Sequence, residues 1–325
     1  MTLAIGIDLG ATKVAGALVN EQGETLAEAR ALTEAHTGVN PVVARIAEVV
    51  AQLLGQVSPL SRDRVIGVGI GTPGLVDGAV GVVRDAVNLG WTEVALAQET
   101  QQAIAAKCGN TLPVWVENDA NSQVVGEFIF GAGRGLNSFA LVAIGTGLGG
   151  GIVANRQLVA GATYTAGEMG HLSLDPDHGR VCACGMVGCV ETVVSGPGLV
   201  KTMRERLATN NPGALPPTFP IDTFQAEDVV AAARNGNALA QAALTETARW
   251  LGIALAAYTA LLNPAAIVIG GGLGLSAFDL LVPTARAELA RRALHQSHER
   301  LQIIPAQVMS SAVGAAALVW QNQRS

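Results

Sequence analysis

The chain has 325 residues, half of them apolar and 14% charged, with a formal net charge of −6. A chain of this length has room for two domains, and its apolar content excludes a disordered polar polymer. The acidic balance, with no dense Lys/Arg run, excludes a surface built for phosphate backbones, so no nucleic acid is expected as partner. The segment Met1 to Gly10 has no basic n-region, and Asp8 interrupts its apolar run, so no secretory signal is expected and the location is read as cytoplasmic. Leu251 to Leu275 is apolar enough to resemble a membrane span, but Asn263-Pro264 breaks it and Gly270, Gly271 and Gly272 follow. No membrane partner is expected.

In chain order, Leu3 to Ile7 and Val14 to Val19 predict a β-hairpin whose turn carries Asp8, Gly10, Ala11, Thr12 and Lys13. Glu24 to Ala31 predicts a third strand and Pro41 to Leu54 a helix. Val65 to Ile70 reads as a buried strand running into the turn Gly71-Thr72-Pro73-Gly74. Glu93 to Cys108 predicts a helix and Val114 to Val116 a short strand, and Glu117-Asn118-Asp119-Ala120-Asn121 leads into a helix through Phe130. A second cycle opens at Ser138 to Ile144, followed by a glycine turn at Gly145 to Gly151 and a strand at Ile152 to Ala154. The hairpins Leu3 to Val19 and Ser138 to Val159 read as an imprecise internal repeat, two related α/β halves with a ligand cleft between them. Asn210 to Phe219, with three prolines, reads as a surface loop. Asp228 to Leu262 is predicted mostly helical, Ala266 to Ile269 a strand, Leu280 to Leu294 a helix, Gln302 to Pro305 a strand and Ser311 to Gln321 a terminal helix.

Three of the four cysteines, Cys182, Cys184 and Cys189, fall within eight residues, with His171 upstream. Thiolates and an imidazole gathered this tightly suit a tetrahedral zinc site, and clustered cysteines in a cytoplasmic chain favour metal over a disulfide. His178 is an alternative ligand, and Cys108 reads as a buried filler. Glu168 and Glu191 bracket the cluster without being needed to complete it, which frees them for a polar, hydroxyl-rich ligand. His171 can serve both metal and ligand through its two nitrogens.

The glycine turns at Gly10 and at Gly145 to Gly151, with Thr12, Lys13 and Thr146, let backbone N–H groups approach phosphate oxygens. Neither turn is a Walker A loop, and neither opens a helix as a dinucleotide fingerprint does. Together with Gly270 to Gly272 they favour a nucleotide. Asp8 is either a turn aspartate or a carboxylate holding Mg²⁺ water near a polyphosphate. Asp119 either caps its helix or takes a proton from a substrate hydroxyl.

These segments resemble the ROK family of sugar kinases and sugar-responsive repressors over nearly the whole chain. The matching stretches are GIDLGATKVAGALV (Gly6 to Val19), GVGIGTPGLVD (Gly67 to Asp77), AVNLGW (Ala86 to Trp91) and VENDANSQVVGE (Val116 to Glu127). They continue through IGTGLGGGIV (Ile144 to Val153), GEMGH (Gly167 to His171), CACGMVGCVE (Cys182 to Glu191) and NPAAIVIGGGL (Asn263 to Leu273). The resemblance implies an α/β, two-lobed, actin-like (ribonuclease-H-like) ATPase fold with a central ligand cleft. Residues 1–120 plus a C-terminal helix at about 308–325 would form the small lobe, and 121–307 the large lobe with the zinc loop at 171–189. It implies Asp119 as catalytic base and Gly74, Asn88, Asn118, Glu168, His171 and Glu191, with Asp119, as sugar-binding residues. Structural Zn²⁺ would be held by His171, Cys182, Cys184 and Cys189. ATP with Mg²⁺ would be held by Asp8, Gly10, Thr12, Lys13, Gly145, Thr146, Gly147, Gly270, Gly271 and Gly272. The small departure is Ala11, where a second glycine is common. A homodimer or homotetramer is implied as well.

The expected activity is an ATP-dependent hexokinase of carbohydrate metabolism acting on the 6-hydroxyl of glucose, the entry reaction of glycolysis. Alternatives are N-acetylglucosamine, N-acetylmannosamine or another hexose as acceptor, and polyphosphate as donor. A sugar-responsive repressor is a remote alternative, since the first strand begins at Leu3 and leaves no room for a winged-helix domain. An actin-like filament or chaperone ATPase would leave the cysteine cluster and its glutamates without a role.

Overall fold

The first apolar run folds as strand β1 (Leu3–Leu9), turns, and returns as β2 (Lys13–Asn20) and β3 (Thr25–Leu32). The computed structural model describes residues 2–209 and 219–323. These fall into two compact units, one of Met1–Gly135, Leu158–Ala166 and Gln307–Ser325, the other of Leu136–Gln157 and Gly167–Ala306. The expected boundary at 120/121 therefore moves to Gly135, and the final helix begins later than 308.

The first unit continues with α1 (Val39–Gly55), α2 (Pro59–Arg62), β4 (Val65–Thr72), β5 (Leu75–Asp77), β6 (Val82–Ala86), β7 (Trp91–Val94), α3 (Leu96–Cys108), β8 (Val114–Asn118) and α4 (Asp119–Ile129). In the second, β9 (Phe139–Ile144), β10 (Leu148–Ala154) and β11 (Gln157–Leu158) precede α5 (Gly196–Thr209), α6 (Ala226–Arg234), α7 (Ala238–Leu262), β12 (Ala266–Gly270), α8 (Gly272–Ser276), α9 (Phe278–Ala290), α10 (His295–His298) and β13 (Gln302–Pro305). The chain then re-enters the first unit as α11 (Ser311–Gln323).

Each unit is built on a five-stranded sheet, ordered β3-β2-β1-β4-β8 in the first and β11-β10-β9-β12-β13 in the second. In both, an antiparallel hairpin is extended by two parallel strands, so the internal repeat read from the glycine turns is a repeat of topology. The turns correspond too: Gly10 donates to the Lys13 carbonyl (2.9 Å) and Gly145 to the Gly147 carbonyl (2.9 Å).

Along β1, Leu3, Ile5, Ile7 and Leu9 enter one hydrophobic cluster with α1 and α3, while Ala4 enters another with α4 and α11. This period of two, apolar on both sides, marks a sheet covered on both faces. The α11 side demands glycine. A Cβ on Gly6 would lie 1.8 Å from the Ala312 carbonyl oxygen, and one on Gly69 1.9 Å from that of Ala315. The run of small residues from Ala312 to Ala317 and the two glycines together let helix and strands meet backbone to backbone. Glu127, buried near the end of α4, accepts from Gln307 N (2.8 Å) and Val308 N (2.7 Å) through Oε1, and from Ala132 N (2.7 Å) through Oε2. Its carboxylate is thus satisfied three times and fixes the segment that leads into α11.

Several expectations change. The glycines Gly149 to Gly151 lie inside β10 rather than in a loop. Gly272 opens α8, so the glycine triplet leads into a helix. The stretch 228–262, expected to be mostly helical, is so, as two helices separated at Gly236 (φ +84°). The three-stranded sheet β5-β6-β7 and helix α5 went unread because their strands are three to five residues long and their apolar positions irregular. The loop expected at Asn210 to Phe219 lies outside the described residues except for Phe219, whose ring tilts against Phe224 with centroids 5.1 Å apart. Among the described residues no helix is long and apolar enough to cross a membrane.

Gly69→Ala should force β4 and α11 apart and destabilise the protein by about 1–3 kcal/mol, the usual range for overpacking. Denaturant unfolding would read this as a lower midpoint at unchanged slope.

Candidate functional site

In the first unit the carboxyl ends of three parallel strands lie in register. Asp8 of β1 pairs with Gly71 of β4, and Gly71 pairs with Glu117 of β8. Ligands of α/β sheets gather at such strand ends. Asn118 occupies the N-cap of α4, where its Oδ1 accepts from Ala120 N (2.9 Å) and Asn121 N (3.2 Å). Its Nδ2 donates to the Gly74 carbonyl (3.0 Å), and Gly74 itself sits at φ +102°, where a Cβ would strike the Asp85 carbonyl. Asn118 is therefore the cap, and Asp119 is released from that duty as the first helical residue. One of its oxygens takes the Ala120 N–H (2.8 Å).

Burial pushes the Asp119 carboxyl above the ordinary range, against the pull of the helix-start N–H groups. Burial also raises Asp8, further raised by the neighbouring Asp119 charge and opposed by Lys13. Two partly buried carboxylates, one at the end of β1 and one just beyond β8, with the Asp119 charge disfavouring ionisation of Asp8, form a ready receptor for positive charge. Behind them Glu117 is buried and raised by desolvation, and it accepts from Asn118 N (2.8 Å) and Asn121 Nδ2 (3.1 Å), which braces the strand-to-helix turn. Gly10, Thr12 and Lys13 form the exposed hairpin turn beside Asp8, closed by Thr33 Oγ1 on the Gly10 carbonyl (2.6 Å). Asn88 is exposed in a single 3-10 turn between β6 and β7.

In the second unit Glu168 precedes a 3-10 turn, Met169–His171. The glycines of β10 make room for it, since a Cβ on Gly150 would lie 2.8 Å from the Gly167 carbonyl oxygen and 3.0 Å from the Met169 side chain. The buried Tyr258 hydroxyl of α7 donates to the Met169 carbonyl (2.7 Å) and anchors the turn. His171, Cys182, Cys184 and Cys189 then offer four ligand atoms within 4.8 Å of one another. The Cys184–Cys189 Sγ separation is 3.7 Å, and Cys182 Sγ lies 3.7 Å from His171 Nδ1. A tetrahedron with Zn–S bonds of about 2.3 Å has S···S edges of about 3.8 Å, which the Cys184–Cys189 separation matches, so the donor set suits structural zinc. His171 Nδ1 faces the sulfurs, leaving Nε2 3.9 Å from Glu168 Oε2. His178 is exposed and stands outside this set.

Glu191 does more than expected. Its Oε2 accepts from Leu148 N (2.8 Å) at the second glycine turn, where a Cβ on Gly147 would sit 2.5 Å from that oxygen.

Gly145 and Thr146 also line a cavity of about 670 Å³ lying within this unit. Its walls are Pro197, Val200, Lys201 and Arg204 along one face of α5, Gln225 to Glu227 at the start of α6, and Gly272 and Leu273 at the start of α8. Three helix N-termini opening on one cavity of ligand size favour an anionic, partly apolar guest. Of the glycine triplet only Gly272 lines it. Gly271 supplies the φ of +79° that lets the chain pass the Ile144 carbonyl, and Gly270 is buried at the end of β12. Lys201, Arg204, Gln225 and Glu227 were missed by sequence reasoning. The readable signal was Ser195-Gly196-Pro197-Gly198, a helix start in which Ser195 Oγ accepts from Gly198 N (3.0 Å).

The profile of the ROK family matches residues 4–322. The chain belongs to the ROK family. The glucokinase of Streptomyces coelicolor is 34% identical to it over 326 residues, covering 98% of both chains. The crystal structure of a ROK family glucokinase from Streptomyces griseus, in complex with glucose and AMPPNP, superposes with a TM-score of 0.78 at 32% identity, covering 98% of this chain and 99% of that one. A ROK family transcriptional regulator homologous to the E. coli MLC protein superposes at 0.85 and 28% identity, over 98% of this chain and 78% of the regulator. The fold is that of the ROK sugar kinases, an actin-like ATPase fold.

Metal analysis of the purified protein should find one zinc per chain, and Cys184→Ser should lose it, with a lower melting temperature and weaker hexose binding. Zinc-free wild-type protein would refute this assignment.

Proposed function

We propose that this sugar kinase is an ATP-dependent glucokinase that phosphorylates the 6-hydroxyl of glucose, with Asp119 as general base. The observation that carries the reading is Asp119, a desolvated carboxylate freed from capping by Asn118 and placed at the end of a parallel strand. Whole-length similarity to glucokinases supports glucose as acceptor and ATP as donor.

The sugar 6-oxygen attacks the γ-phosphorus, the bond from phosphorus to the β,γ-bridging oxygen breaks, ADP leaves, and the hydroxyl proton passes to Asp119. Desolvation raises the basicity of Asp119 and so its pull on that proton. Gly74, Asn88, Asn118, Glu168, His171 and Glu191 pair the remaining sugar hydroxyls in this proposal. His171 would act through Nε2, since Nδ1 faces the cysteines. Asp8, Gly10, Thr12, Lys13, Gly145, Thr146 and Gly147 hold the phosphates. Gly272, with Lys201 and Arg204 added by the cavity, would hold the nucleoside, while Gly270 and Gly271 would shape the strand end that leads to it. Asp8 would hold the water of Mg²⁺ bound to ATP, and that ion would supply positive charge against the β- and γ-phosphates. Zinc held by His171, Cys182, Cys184 and Cys189 would fix the Glu168–Glu191 segment, and four protein ligands would leave it no open position for catalysis.

Asp119→Asn should cut kcat by about 10²–10⁴-fold, the usual worth of a positioned base, with glucose binding retained. The same variant should melt no lower than wild type, because a costly buried charge is removed. Full activity in the variant would end the assignment. The base works deprotonated, and burial raises its pKa, so kcat/KM should fall as pH drops through a value above the ordinary aspartate value of about 3.9. A coupled assay of ten or so hexoses against ATP and polyphosphate separates glucose from its rivals, N-acetylhexosamines included, and one donor from the other.

A further inference from the structure

We infer that Arg180 couples the metal-organised loop to the donor pocket, so that loss of the metal weakens nucleotide binding as well as sugar binding. The inference rests on the reading above that the 670 Å³ cavity receives the nucleoside of the donor.

Arg180 lies between His171 and Cys182 in the chain, and its side chain is only 14% exposed. Its Nη1 donates to the carbonyls of Thr192 (2.7 Å) and Gly198 (3.2 Å). Its Nη2 donates to Thr202 Oγ1 (2.9 Å) and Glu205 Oε2 (2.6 Å). Gly198, Thr202 and Glu205 are spaced i, i+4, i+7 and form one face of α5. Pro197, Val200, Lys201 and Arg204 form the adjacent face, which lines the cavity. One guanidinium therefore grips the back of the helix whose front is the pocket wall. The guanidinium is a planar fork with fixed donor directions, so its position follows the backbone that carries it. That backbone is tied into the cysteine loop: the Arg180 carbonyl accepts from Gly188 N (2.9 Å), next to Cys189, and Cys182 N donates to the Met186 carbonyl (2.8 Å).

A second strut leaves the same loop. Glu191, two residues beyond Cys189, holds Leu148 N (2.8 Å) and so frames the turn containing Gly145 and Thr146, the opposite wall of the cavity. Gly196 N closes the frame on the Gly145 carbonyl (2.7 Å). Both walls of the cavity are thus tied to a loop whose shape depends on four metal ligands. Neither strut is a metal ligand, and Arg180 touches no residue expected to meet the sugar.

The test uses the zinc-loaded protein, with Mg·AMPPNP as probe and titration calorimetry as readout. Arg180→Ala, with zinc content and cooperative melting retained, should bind AMPPNP about ten-fold more weakly, within the usual range of site-to-site coupling. Arg180→Lys should fall between, because it keeps the charge and loses the fork. In turnover, KM for ATP should rise while KM for the hexose stays put. Coupling is reciprocal, so saturating AMPPNP should slow zinc release to a colorimetric chelator, an effect that a purely stabilising arginine would not produce. If Arg180→Ala fails to fold, Thr202→Val removes one of the arginine's partners outside the pocket and should show a smaller loss. Unchanged AMPPNP affinity in the folded variants and unchanged zinc release would overturn the coupling alone. A wild-type protein that binds no AMPPNP would overturn the donor-pocket reading and the coupling with it.

Discussion

From residue 159 to residue 195 the chain forms no helix longer than a single 3-10 turn and only isolated bridges, at Ser173–Cys189 and Val181–Val187. A segment this long without a ladder needs another source of order, because conformational entropy otherwise keeps it open. A metal ion held by the four ligand atoms that lie within 4.8 Å of one another would supply that source. Metal binding free energy becomes folding free energy in such a loop. The local hydrogen bonds then spread the constraint: Tyr258 holds the turn at one end, Arg180 the flank of α5, and Glu191 the second glycine turn. Glu168 and the free nitrogen of His171 inherit their positions from these contacts.

The two units solve the same problem with unequal means. Each sheet begins with a hairpin whose glycine turn stands at the carboxyl ends of the parallel strands. In the first unit this geometry brings the Asp119 charge to bear on Asp8, and the cost of desolvating both carboxylates shows as raised pKa values, with the Asp119 charge adding to that of Asp8. Helix α4 offsets part of that cost through its N-terminal N–H groups. Cap and base are separate residues: Asn118 takes the N–H groups of Ala120 and Asn121, and Asp119 shares only that of Ala120. In the second unit the same turn borders a cavity because α5, α6 and α8 all begin there.

The candidate site was legible where chemistry is local. Cysteine spacing, the Asp119 neighbourhood and the hairpin turns could be read because each depends on residues a few positions apart. The glycines were misjudged in an instructive way. Gly149 to Gly151 read as a phosphate loop, yet they lie in a strand where a side chain on Gly150 would exclude the Glu168–His171 turn. A glycine needed for close approach and a glycine needed for a loop look alike in sequence. Lys201, Arg204 and Arg180 could not be read at all, since ordinary basic residues on a helix and a loop gain their roles only from what faces them.

The sequence by itself determined the family, the repeated α/β pattern and which residues are the candidate metal ligands and candidate base, because these rest on short-range spacing and on side-chain chemistry. Tertiary structure alone decided which face of α5 meets the cavity and which glycines serve packing. It also decided that Glu191 and Arg180 bind backbone and helix rather than solvent. Those outcomes depend on contacts between residues far apart in the chain, such as Glu191 with Leu148 and Arg180 with Glu205, whose approach no local pattern encodes.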